Sequence, residues 1–304
     1  MSERTRYDYL EIGDGPPKRF RDEPAAPPVH TLDAVEVIGG PGTPAAFNCP
    51  GGVAVDRRDS VYVADSLNHR IVKITATGDV FLIGARGPNI GDLLNPQGIA
   101  VDNLGFMYVV ELGNSRVSKI SPRGDVLCTF GFRGHQIGQL DRPCDISRDP
   151  VNNLYVADTG NDRVQVFDAN GQFVAVFGAS ATTTLRSPQG VAVNRQGCVF
   201  VADGMNRRIV AFSPAGEEIG YIPAEGELYG PQAVTIAPDG LVLVAERDAD
   251  RIRGFTPEGE EVCVFAPTTR ASHLNSPTGI AAGPDGSVYV ADTMNHRLLR
   301  LKYT

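Results

Sequence analysis

The chain has 304 residues, 42% hydrophobic and 21% charged, which excludes a collagenous, low-complexity or disulfide-scaffold protein. Its net charge of −8 disfavours nucleic acid as a partner, because displacing counterions from phosphates takes a basic face. No apolar run approaches the ~20 residues of a membrane-crossing helix, so no membrane insertion is expected. The five scattered cysteines lack a C-x-x-C pair and form neither a disulfide framework nor a zinc site.

In chain order, residues 1–31 come first, a segment without the apolar stretch of a signal peptide, and a cytoplasmic location is expected. They hold five prolines and the basic run Lys18-Arg19-Phe20-Arg21. Tyr7, Tyr9, Leu10, Ile12 and Phe20 have no local core to join, so this arm is predicted to dock on a protein partner. Next comes LDAVEVIGGPG, followed by six repeats that begin at Pro50, Pro96, Pro143, Pro188, Pro231 and Pro277, with spacings of 46, 47, 45, 43 and 46.

Each repeat opens with a short apolar strand (GGVAVD, QGIAVD, CDISRD, QGVAVN, QAVTIA, TGIAAG). A second strand ends in an acid, as in VYVAD or LVLVAE. Five residues after that acid stands an arginine in all six copies, and Asn stands three after it in five of them. A third strand such as RVQVF and a glycine turn lead to a fourth. Four short strands in a unit of ~45 residues are the signature of a propeller blade, since a lone blade cannot bury both faces of its sheet. The predicted fold is therefore all-β: a six-bladed propeller over residues 32–304, with four antiparallel strands per blade. The sixth repeat stops after its third strand, and LDAVEVI resembles the fourth strands GDVFLIG and GQFVAVFG. Residues 34–38 are predicted to complete the last blade and close the ring.

The spacing and the words VAD-x-x-N-x-R-[IV] resemble the NHL repeat family, whose known members form six-bladed propellers. The resemblance covers residues 33 to 304. It implies several possible roles, among them protein-interaction platforms, RNA-binding propellers, and relatives with lyase or lactonase activity; fold alone does not choose among them.

The acid–arginine pairs Asp65–Arg70, Glu111–Arg116, Asp158–Arg163, Asp203–Arg208, Glu246–Arg251 and Asp292–Arg297 recur in every blade and so answer a need that every blade shares. They are read as structural, with Asn supplying a left-handed turn residue. Blade five has Ala249 in place of Asn, and its turn is expected to be reshaped. Residues that differ between blades inform more. At the tunnel mouth these are Gln97, Cys144, Asp145, Gln189, Gln232 and Thr278, candidates to hold a small polar ligand. The inter-blade loops carry Leu93, Leu94, Ile137, Leu140, Leu185, Leu228, Tyr229 and Leu274, several of them placed to pack between blades.

The resemblance raises enzymes whose zinc is held by histidines or whose calcium is held by carboxylates. Here His69 and His296 share one repeat slot in neighbouring blades, and His30, His135 and His273 lie in loops or the tail. A metal site needs three or four convergent ligands, and Asp145 is the only acid at the mouth. No metal or cofactor is expected. With no Trp and with mixed loop charges, a stacking surface for RNA is also not expected. The expectation is a non-enzymatic interaction or scaffold module, anchored through its arm in a larger assembly. Its alternatives are a metal-dependent lyase or lactonase with a tunnel site, and single-stranded RNA binding on one face.

Overall fold

The computed structural model describes residues 32–40, 42–178, 184–266 and 272–303. The arm residues Tyr7, Tyr9, Leu10, Ile12 and Phe20 lie outside this set. Six four-stranded antiparallel sheets surround one axis. Strands are lettered a to d outward from that axis. The first blade runs Pro50–Val55, Val61–Asp65, Arg70–Ile74 and Val80–Ile83, and the second Pro96–Val101, Met107–Glu111, Arg116–Ile120 and Val126–Phe130. The inner strands of blades three to six are Asp145–Arg148, Pro188–Val193, Pro231–Ile236 and Pro277–Ala282. Each inner strand touches the next around the ring, the sixth touching the first.

The ring closes as predicted. Leu32–Ile38 pairs antiparallel with Arg297–Tyr303 as strand d of the sixth blade, with Val37 opposite Leu299 and Ile38 opposite Leu298. Strand b is buried on both faces in every blade, which explains its unbroken Val, Tyr and Ala. The core lies between blades: Tyr62, Ile71 and Ile83 of blade one, for example, meet Ile99, Met107 and Ile120 of blade two.

The residue three before each blade proline seals the gap. Leu93, Leu140, Leu185, Leu228 and Leu274 are fully buried, and Phe47 takes this place in blade one. Each such leucine stabilises the ring by about 1.5–3 kcal/mol. Ile137 and Tyr229, from the same loops, are exposed.

Candidate functional site in the central tunnel

The repeated polar residues form a clamp. Each strand-b carboxylate is fully buried and accepts a backbone N–H from a residue seventeen positions upstream in the preceding loop: Asn48 to Asp65 at 2.7 Å, Leu94 to Glu111 at 3.0 Å, Asp141 to Asp158 at 2.7 Å. Arg186, Tyr229 and Asn275 do the same for Asp203, Glu246 and Asp292, each at 2.7 Å. The arginine five residues on supplies its Nε, at 2.7 Å in Asp65–Arg70, 2.8 Å in Glu111–Arg116 and Asp158–Arg163, 3.1 Å in Asp203–Arg208 and 2.6 Å in Asp292–Arg297; Glu246–Arg251 makes the same contact. With its lone pairs satisfied and its charge paired, the carboxylate has little left to offer a ligand.

Two details differ from the sequence-based expectation. The Asn is not the left-handed residue of the turn. Asn68, Asn114, Asn161, Asn206 and Asn295 donate their amides to the clamp carboxylate, and the residue after each takes the positive φ, as His69 does at 56° and Asp162 at 53°. The blade-five turn, Arg247–Ala249, keeps the same short 3-10 form with Asp250 at φ 50°. A second arginine, Arg253, stands 3.7 Å from Glu246 where Asn is missing.

His69 and His296 do not meet. Each accepts, at Nδ1 and 3.0 Å, a backbone N–H from the next blade's loop: Asn95 for His69 and Cys49 for His296. Burial and the nearby Arg86 hold His69 below the usual histidine pKa. Among the described residues, no group of three or more His, Cys, Asp or Glu side chains is placed to hold a metal ion. The donor set a metal-dependent lyase or lactonase needs is therefore not matched by these residues.

The predicted tunnel-mouth residues converge on one channel, where Gln97, Cys144, Asp145, Gln189, Gln232 and Thr278 all line a space of about 30 Å³, room for a water or two. Their polar groups are already used. Gln232 donates to Gln189 at 2.8 Å, Arg247 to Gln232 at 3.1 Å, Gln97 to Asn95 at 3.0 Å, and Thr278 shares a hydrogen bond with Thr293 at 2.6 Å. Burial pushes the Cys144 thiol up, leaving it a protonated and poor nucleophile. The mouth is a hydrogen-bonded collar.

Below the collar the tunnel is pinched by the residue two after each blade proline: Gly52, Gly98, Asp145, Gly190, Ala233 and Gly279. The small residues are required because a Cβ at Gly98 would lie 2.5 Å from the Asp145 Cα, and one at Gly190 2.8 Å from the Ala233 Cα. Only blade three places a larger side chain at this level. Asp145 accepts the Val191 N–H of blade four at 3.0 Å. Burial pushes its carboxyl up to about 7, against the pull of the Val191 and Ile146 amides.

On the far side of Asp145 the tunnel opens into a cavity of about 610 Å³, the size of a small-ligand pocket. Its walls are largely aliphatic, with Val53, Ile99, Val191 and Ile280 among them, and Ser147, Asp149, Asn194 and Thr235 add polar groups beside Arg57, Arg148 and Arg195. Blade three departs from its neighbours at four positions of one strand: CDISR stands where blades two and four read QGIAV and QGVAV, giving Cys144 for Gln, Asp145 for Gly, Ser147 for Ala and Arg148 for Val. The acids Asp56, Asp102 and Asp149 lie on this side, as their place in the a–b turns implies. Each is spent on its own turn, Asp149 for example accepting Val151 N–H at 2.9 Å and Asn153 N–H at 2.8 Å.

This frame, six blades closed by the N-terminal strand around one axial tunnel, is a β-propeller. The family model for the NHL repeat matches residues 47–74 and 274–301, and the chain carries NHL repeats as its motifs suggested. No curated protein matches the sequence. Among solved structures, a gluconolactonase from Xanthomonas campestris is similar with a TM-score of 0.66 and 14% identity, over 93% of this chain and 99% of that one. A streptogramin B lyase is similar with a TM-score of 0.65 and 16% identity, over 90% of this chain and 98% of that one. The PQQ-bound aldose sugar dehydrogenase of Streptomyces coelicolor has a TM-score of 0.63 and 15% identity, over 92% and 100%.

At such identities the likeness shows the fold alone. It nevertheless corrects the scaffold expectation. These similar propellers are enzymes, and this favours the alternative held from the sequence, a metal-dependent lyase or lactonase with a tunnel site, over the scaffold, although the described residues do not supply its metal ligands. The scaffold expectation rested on the amphipathic arm and on the absence of a metal-ligand pattern, and neither bears on chemistry carried out by a single carboxyl group.

Proposed function

We propose that this chain is an enzyme that moves a proton on a small polar substrate held in the tunnel cavity, in a reaction of the lyase or lactonase type. The observation that carries the proposal is Asp145. Its carboxyl stands at the tunnel constriction, borders a 610 Å³ cavity and has its pKa raised to about 7. A carboxyl poised near neutrality is matched to both halves of proton transfer.

As the carboxylate it takes a proton, either from water as that water attacks a lactone carbonyl or from the carbon beside a leaving oxygen. As the acid it returns that proton to the departing oxygen, so the group is regenerated. The described residues offer no metal-ligand cluster, and in this reading the Asp145 carboxyl carries both halves of the proton transfer. Lyase and lactonase activities among similar propellers support the choice of reaction class by fold-level analogy.

The test is a turnover screen of the purified full chain against lactones and elimination substrates, repeated with Asp145→Asn and with chelator. The wild type should turn over at least one substrate, with kcat falling by about 10²–10⁴ in Asp145→Asn and unchanged by chelator. Turnover that survives Asp145→Asn, or that chelator abolishes, would overturn the proposal.

A further inference from the structure

Three guanidinium groups from three blades border the cavity: Arg57, Arg148 and Arg195. Arg148 is held rigidly. Its Nε donates to the Val101 carbonyl at 2.8 Å, its Nη2 to Asn103 Oδ1 at 2.8 Å and its Nη1 to Asn152 Oδ1 at 3.1 Å. None of these partners is charged. Arg57 and Arg195 are exposed at the rim and have no side-chain hydrogen bond or ion pair among the described residues. The contrast with the rest of the molecule is sharp, since every clamp arginine is paired with a buried carboxylate.

Asp56, Asp102 and Asp149 stand nearby, and Asp102 and Asp149 act on Arg148 through their charge, but none of them forms an ion pair with the trio among the described residues. Asp56 is occupied by the Arg58 and Ser60 amides and the Tyr62 hydroxyl, and Asp102 by the Leu104 and Phe106 amides. A concave site with low-dielectric walls and unpaired guanidiniums concentrates anions, here in a protein whose net charge is −8. Among the described residues, the cavity around Asp145 presents no aromatic face on which a base could stack.

We infer that the cavity takes a small aliphatic or sugar-like molecule bearing an anionic oxygen group, a carboxylate or a phosphate, which Arg57, Arg148 and Arg195 hold over Asp145. This deepens, and rests on, the reading of the cavity as the substrate site. Arg148 presents a fixed guanidinium in the wall, and Arg57 and Arg195 close on the anion from opposite sides of the rim.

The test is isothermal titration of the full chain at low salt with inorganic phosphate and, separately, with citrate. The wild type should bind one or both at one per chain, and the more tightly bound probe identifies the anionic group. The Arg57→Ala, Arg195→Ala double variant, which removes only exposed side chains, should weaken that binding at least roughly tenfold. Asp145→Asn should bind as tightly or more tightly. The inference falls if the wild type binds neither anion, if the double variant binds unchanged, or if only a single-stranded oligonucleotide binds. Failure here leaves the catalytic reading distinguishable: Asp145-dependent turnover of a neutral substrate would stand without anion binding, and anion binding would stand without turnover.

Discussion

At the level of single residues the six inner strands act as internal controls, because one position can be compared six times within one chain. Five copies put Gly or Ala at the tunnel constriction and one puts Asp145 there. That carboxyl has a folded-state pKa above its unfolded value, so the folded chain retains a proton that the unfolded chain releases. Folding is therefore undisturbed below about pH 4 and loses stability as pH rises toward 7, levelling off above it. Asp145→Asn should therefore be more stable than the wild type at pH 8, by on the order of a few kcal/mol. The advantage should vanish at pH 4, with urea denaturation at both values as the measurement. Equal stabilities at pH 8 would contradict the assignment. The departure CDISR was legible in the sequence, but which side of Asp145 holds the cavity was not. Five inner strands carry a register shift just after their proline, and blade three enters its strand at Asp145 without one. A bulge turns the local side chains by an amount that alternation cannot supply.

At the level of elements, the turn between strands b and c joins each blade to the next. The left-handed residue of that turn reaches the following loop: His69 to Asn95, Ser115 to Arg142, Asp162 to Ser187, Asp250 to Ser276 and His296 to Cys49 accept backbone N–H groups, and Arg207 donates to the Leu228 carbonyl. A histidine can accept at Nδ1 only when that nitrogen is unprotonated. His69 has its folded-state pKa lowered below 6.5, so its contribution is fully present above the unfolded pKa and is lost as pH falls through the folded one. His69→Asn, which keeps an acceptor and tolerates positive φ, should lose less melting temperature than the wild type between pH 7.5 and 5. Identical losses would show that this clip carries no pH dependence. The repeat spacing made the turn legible. The clip itself spans 25 to 27 residues in most blades and has no signature in sequence, because four kinds of side chain (His, Ser, Asp and Arg) and both hydrogen-bond directions serve one purpose.

At the level of the whole molecule, the N-terminal strand against Arg297–Tyr303 closes a ring whose blades all bury both faces, so the axis is the one place where six blades meet. The hydrogen-bonded collar nearly seals one end and leaves the arginine-lined cavity as the way in, with Asp145 at its floor. Blade number, strand order and closure were readable from the spacing of prolines, acids and arginines, since all three follow from the need of each blade for two neighbours. The central claim is that this axis holds a carboxyl poised for proton transfer. It is tested most directly by following the ¹³C carboxyl resonances of aspartate-labelled protein from pH 4 to 9, with Asp145→Asn identifying the signal. A midpoint of about 7 for Asp145 is the predicted result; a midpoint near the ordinary aspartate value of about 3.9 would contradict the account.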